Sequence, residues 1–167
     1  VVRLRSKGAD VTTNRRFIMR RVLSRAWVVL VMIALLLGTA VGGDGVGSVV
    51  VTIEGFRNPE GRARVALFSQ ESGFPDDESG AYRKIVSDIR NGAVQVRFDE
   101  LPAGSYALST YHDENGDAKF NKGLFGIPKE GYGVSNNIVH ATRAPKFGEA
   151  VFPLSNEVKD IRIQVHY

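Results

Sequence analysis

The fifteen residues Ile85–Asp99, IVSDIRNGAVQVRFD, decide the fold class. Asn91-Gly92 is a dipeptide favoured in two-residue type I′ turns, because both positions there need positive φ. After it, Val94, Val96 and Phe98 alternate with Gln95 and Arg97. That period of two marks a strand with one buried face. Before it, Ile85 to Arg90 reads as the partner strand of a hairpin. The start of Ala81–Arg90 also tolerates a helical turn.

The same period recurs on both sides. Val49, Val51 and Ile53 alternate with Val50, Thr52 and Glu54. Asn58-Pro59-Glu60-Gly61 is turn chemistry, since proline presets φ and glycine tolerates positive φ. Ala63, Val65 and Leu67 then face one way and Arg62 and Arg64 the other. Residues 70–80 (QESGFPDDESG) read as a polar loop, and Leu101-Pro102-Ala103-Gly104 as another turn. Tyr106, Leu108 and Thr110 carry the next strand; Ala150, Phe152 and Leu154 a sixth; Ile161, Ile163 and Val165 the last, with Arg162, Gln164 and His166 outside. Seven short strands between turns predict an all-β chain, an antiparallel β-sandwich with no helix beyond the leader.

The leader is residues 1–42. Arg20, Arg21 and Arg25 precede an apolar run, Trp27–Leu37 (WVVLVMIALLL), and Gly38 to Gly43 are mostly small. A basic start, an apolar stretch and a small-residue exit describe a secretory signal peptide. The run is shorter than the roughly 17–25 residues of a membrane span, which is the competing reading. Cleavage is expected after Ala40 or Gly42, and Met19 is the expected start. Asn14-Arg15-Arg16-Phe17-Ile18 offers a twin-arginine alternative. The expected destination is the periplasm or the exterior.

Removing the leader reverses the charge. The chain holds 22 basic and 18 acidic residues; residues 1–42 take eight of the basics and one acid, leaving 14 and 17, a net of −3. No basic stripe remains to bind nucleic acid. There is no cysteine, so residues 48–167, the expected domain, are held without disulfides.

An ordered series of motifs runs along that domain: Leu101-Pro102-Ala103-Gly104-Ser105-Tyr106, then His112-Asp113-Glu114-Asn115-Gly116-Asp117, then Gly126 to Asn137 (GIPKEGYGVSNN), then Phe147 to Phe152 (FGEAVF), then a last strand ending in Tyr167. In this it resembles the bacterial domain of unknown function 2141 family, from about Val49 to Tyr167. The resemblance implies an exported all-β domain, similar to transthyretin-like or carboxypeptidase-regulatory-like sandwiches. It implies no activity.

The long polar segment Tyr111–Asn137 is the candidate site. Asp113, Asn115 and Asp117 stand at i, i+2 and i+4. Oxygens at such spacing wrap Ca²⁺, which takes about six to eight of them. Lys119 would add its carbonyl and Asn121 a side chain at the ninth position, with Glu130 folding back to supply a late carboxylate. Ala118 stands where an EF-hand has Gly, and Leu124 where it has Glu. The competing reading is a loop whose Asx side chains bond its own backbone. Phe125, Ile127, Tyr132 and Val134 predict that the second half packs onto the sandwich. A ligand-binding rim would use His112, Phe125, Tyr132, Ser135 and Asn136; alternatively, the segment caps an open end. His112, His140 and His166 lack zinc-like spacing, and Ser135 lacks a nucleophile elbow. The expected function is therefore a non-enzymatic envelope module binding a ligand or protein. The alternatives are an accessory domain of an envelope assembly and an enzyme built on residues 111–137.

Overall fold

The computed structural model describes residues 45–167. The leader expectations, including the signal helix and its cleavage site, lie outside these residues. No helix among the described residues is long and apolar enough to cross a membrane.

Eight strands form two facing sheets: β1 (Val46–Glu54), β2 (Arg62–Phe68), β3 (Arg83–Ser87), β4 (Ala93–Pro102), β5 (Gly104–Asp113), β6 (Tyr132–Val134), β7 (Phe152–Leu154) and β8 (Val158–Gln164). One sheet has the order β4-β1-β8 and the other β3-β2-β5-β6, with β7 also on β5. The alternation of side chains puts Val49, Val51 and Ile53 of β1 and Val94, Val96 and Phe98 of β4 inward. They meet Val65 and Leu67 of β2 and Leu108 of β5 in one core. The all-β expectation holds.

Four details differ from the sequence reading. Among the described residues there are eight strands, because the three-residue β6 forms inside the long polar segment. The sheets are not wholly antiparallel, since β1 pairs with β8 in parallel, from Ser48 with Val158 to Glu54 with Gln164. The domain is not helix-free. Single 3-10 turns occur at Glu78–Gly80, Leu124–Gly126 and Ser135–Asn137, and one α-turn, α1, at Phe147–Ala150 takes up Ala150, which the sequence pattern places in a strand.

The fourth difference is the hairpin. Asn91 and Gly92 both have positive φ, 54° and 71°, as the turn requires. Yet only Arg90 and Ala93 bridge across it. β3 then pairs with β2, and β4 with β1, in different sheets. The turn is a corner between layers. Crossing there lets the apolar sides of β3 and β4 face the shared core instead of lying side by side, and Ile85 and Val94 both pack into it.

β5 positions the site. Every residue from Tyr106 to Asp113 is buried, because both faces of the strand are covered. Outside, Ala107 joins Val134 and Ala150 in a second small core with Phe74, Ile138 and Phe147. Phe74 stacks edge-on against Phe68 at 5.3 Å and Phe147 at 5.9 Å. The edge of β5 is shared: β7 lies along Gly104–Tyr106 and β6 along Ser109–Tyr111. The residues between β5 and β6 make the long loop. A bridge between Tyr132 and His166, with N–H to O distances of 2.8 and 2.9 Å, ties β6 to the segment after β8.

Candidate functional site

β5 ends in His112 and Asp113, and neither side chain reaches solvent. His112 is 0% exposed. Its Nε2 lies 2.7 Å from the Glu60 carbonyl, which only accepts, so this nitrogen carries a proton. Its Nδ1 lies 2.6 Å from the Tyr167 hydroxyl, which donates to it in the neutral ring while accepting the Arg57 N–H at 3.1 Å. Phe56 packs edge-on against the ring at 5.3 Å. Burial pushes the Tyr167 phenol upward. His112 thus stands behind the expected rim, not on it.

Asp113 is 3% exposed. Its Oδ2 accepts the Ala118 N–H at 3.0 Å, and Arg64 Nη1 lies 3.9 Å from the same oxygen. Its Oδ1 is buried with no hydrogen-bond partner. The backbone comes very close at this point: a Cβ on Gly61, at φ +63°, would lie 1.9 Å from the Asp113 carbonyl oxygen.

The loop then bonds to itself. Asn115 Oδ1 accepts the Asp117 N–H at 3.1 Å, and Asp117 Oδ1 accepts the Lys119 N–H at 2.8 Å. The Asn121 amide donates to both Asp117 oxygens, at 3.1 and 2.9 Å, and to the Lys119 carbonyl at 2.9 Å. These bonds hold the Asp117 carboxyl below its ordinary range, the Asn121 amide most. Glu130, 4% exposed, folds back as expected, and its Oε2 accepts the Asn121 N–H at 2.8 Å. Burial pushes its carboxyl upward, with the charges of Asp113 and Asp117 adding to the effect. The candidate oxygens therefore cluster, and the self-bonded description holds for most of them. Among the described residues no three His, Cys, Asp or Glu side chains gather as they would for a metal cage.

The second half of the loop departs from its expectation. Val134 is buried and Tyr132 half-buried, but Phe125 is 99% exposed and Ile127 projects with it. Phe125 sits at φ +60°, within the turn Leu124–Gly126. Phe125 to Pro128 form one wall of a cavity of about 620 Å3. The opposite wall is His140 to Pro145, and Phe120, Tyr132 and Tyr167 also line the cavity. Lys122 at its edge pairs with Asp76.

Ser135 and Asn136 serve the wall from inside. Ser135 is 0% exposed. Its hydroxyl accepts the Leu108 N–H at 2.9 Å and donates to the Ala150 carbonyl at 2.5 Å. No His is among its partners. Asn136 is exposed, and its amide donates to the carbonyls of Glu149 at 3.0 Å and Val151 at 3.2 Å, clamping α1. Of the five rim candidates, Phe125 and Tyr132 line the cavity; His112, Ser135 and Asn136 do not.

Sequence reasoning missed the opposite wall. Arg143 is its organising cation: Nη1 and Nη2 bind the two Glu149 oxygens at 2.8 and 2.7 Å. The same carboxylate takes the Lys146 N–H at 2.8 Å and lies 3.1 Å from His140 Nε2. Arg143 first, then the Lys146 amide, hold the Glu149 carboxyl well below its usual range. The available signal was Arg143 and Pro145 in a short segment ahead of Phe147-Gly148-Glu149. A folded-state pKa below the unfolded value gives stability that is present above about 4.5 and lost as pH falls through the folded value. Glu149→Gln is therefore expected to melt below the wild type at pH 7. The gap should close as the medium is acidified below pH 4, read by thermal melts across that range.

Residues 51–162 match the family model described as "Uncharacterized protein conserved in bacteria (DUF2141)". No curated protein and no solved structure matches the chain. The family match spans most of the two-sheet domain, from β1 to β8, and the chain belongs to the DUF2141 family.

Proposed function

We propose that this protein is an exported cell-envelope module that binds a ligand or protein, without catalysis, in the cavity between residues 120–128 and 140–145. The single observation carrying this reading is the cavity with Phe125 at its mouth. Its volume of about 620 Å3 suits a peptide segment or a short glycan. Aromatic rings of Phe120, Tyr132 and Tyr167 supply apolar faces, and Arg143 and Lys122 supply polar edges. A fully exposed phenylalanine beside Leu124 and Ile127 is apolar surface of the kind that binding covers. Of the residues an enzyme would recruit from the loop, namely His112, Asp113, Glu130, Tyr132 and Ser135, only Tyr132 lines the cavity. Export rests on the basic, apolar and small-residue order of residues 19–42.

The test has two parts. Protein recovered from the envelope fraction of its host should begin between Val41 and Asp44 by N-terminal sequencing. It should cosediment with isolated envelope material, and the double substitution Phe125→Ser with Ile127→Ser should weaken that binding about tenfold or more. Both side chains are exposed, so the melt should stay within about 0.5 kcal/mol of wild type. Binding unchanged by the double substitution would remove the cavity from the account. A cytoplasmic product with Val1 or Met19 retained would remove export.

A further inference from the structure

We propose that Asp113, Asn115, Asp117, the Lys119 carbonyl and Glu130 form a calcium site. It stands independently of the cavity reading.

The proposal starts from one atom. Asp113 Oδ1 is buried and has no hydrogen-bond partner. An ionised oxygen in that position is costly unless a cation or donor meets it. The neighbouring cation does not meet it. Arg64 approaches Oδ2, at 3.9 Å, and commits Nε and Nη2 to Glu78 at 3.1 and 2.9 Å. Glu78 already balances Arg64. Asp113, Asp117 and Glu130 therefore bring three carboxylates to one loop with no cation of their own on Asp113 Oδ1.

The arrangement leaves one oxygen without a partner and holds the others through neutral N–H donors. Asp113 uses Oδ2 to hold the Ala118 N–H and keeps Oδ1 in reserve. Ala118 has φ +61°, the left-handed bend by which a loop curls around a central point. Glu130 uses Oε2 to hold the Asn121 N–H, and the Glu114 N–H also stabilises its carboxylate. The partners of Asp117 are neutral amides of Asn115 and Asn121 and the Lys119 N–H. A divalent ion exchanges some of these weak contacts for charge neutralisation. Carboxylate, amide and peptide oxygens are hard donors, and Ca²⁺ accepts about six to eight of them in a flexible geometry. Water completes the number. Among the described residues no three His, Cys, Asp or Glu side chains already gather as a metal cage, so the ion would have to draw Asp117 and Glu130 in toward Asp113. Bound there, the ion would lock the base of the loop that carries Lys122, Phe125 and Ile127.

The experiment uses purified protein stripped with EDTA and titrated with CaCl₂ to 10 mM, followed by melting temperature and by calorimetry. At a hundredfold excess over Kd the melt should rise by about 8–16 °C, and by a few degrees for a millimolar site. Mg²⁺ at equal concentration should do less, since it holds its water in a tight octahedron. Asp117→Asn, compared with its own EDTA-state melt because it also loses bonds from the Lys119 and Asn121 N–H groups, should lose affinity for Ca²⁺ about tenfold or more. Glu130→Gln should lose affinity likewise, and Asp160→Asn on β8 should bind as wild type. Asp113→Asn adds a direct test of the orphaned oxygen if it folds; if it does not, the wild type and Asp117→Asn decide. A flat melt with no binding heat at 10 mM Ca²⁺ overturns the proposal. So does Asp117→Asn binding Ca²⁺ as tightly as wild type. Neither result bears on the cavity, which is tested with envelope material and exposed apolar residues.

Discussion

His112→Ala should cost about 3–5 kcal/mol of folding stability. The side chain is wholly enclosed, and deleting an enclosed ring loses its transfer energy and leaves a hole that the surroundings fill only in part. The loss does not stop at volume. The Glu60 carbonyl and the Tyr167 hydroxyl also lose their partner on the ring; both residues are exposed, so each bond adds only about 0.5–1.5 kcal/mol. His112→Phe keeps much of the volume and strands the same two groups, so it should fall between alanine and wild type. Urea unfolding at neutral pH measures all three. A change within about 0.5 kcal/mol for alanine, the usual result at a surface site, would mean that His112 faces solvent on a rim after all.

Ser135→Ala should cost about 2–4 kcal/mol, although it removes a single oxygen. That oxygen substitutes for a strand. Between Tyr106, opposite the first residue of β7, and Ser109, opposite the last residue of β6, the edge of β5 has no backbone neighbour in its pairing register. The Ser135 hydroxyl fills the gap by accepting the Leu108 N–H and passing its own proton to the Ala150 carbonyl. Alanine strands a buried donor and a buried acceptor together. Amide hydrogen exchange at Leu108 gives the sharper readout. Its protection should fall well below that of Thr110 in the same strand. If protection at Leu108 and the unfolding free energy both match wild type, the serine is dispensable and the edge is closed some other way.

Much of the sandwich was legible because period two is local. Val49, Val51 and Ile53, or Val94, Val96 and Phe98, state which side is buried without reference to any partner. Destination is not local. Asn91-Gly92 announces a turn, but nothing in the dipeptide says that β3 and β4 part company into different sheets. The strand β6 hid because three residues, one of them Gly133, carry no alternation. β5 was half legible: Tyr106, Leu108 and Thr110 carry the strand signal, while Ala107, Ser109 and Tyr111 are buried as well, Ala107 under the outer cover of Phe74 and its neighbours. His112 could not be placed, since its partners lie 52 and 55 positions away. The oxygen cluster was legible as a spacing, and Glu130 folds back onto it. The cavity was not, because its second wall depends on Arg143 finding Glu149.

The parallel pairing of β1 with β8 sets an order of events during synthesis. β1 is the middle strand of its sheet, and its two partners arrive at very different times. β4 follows within the same half of the domain, whereas the β8 residues lie 110 positions beyond their β1 partners. Until residues 158–164 are made, one flank of β1 is an open row of amides and carbonyls, and the inward side of Ile163 is missing from the core. Contacts this distant in sequence close slowly, since the intervening chain must first be brought together. A growing chain of this kind carries an open strand edge, the kind that invites pairing with other chains, until its last strand is made.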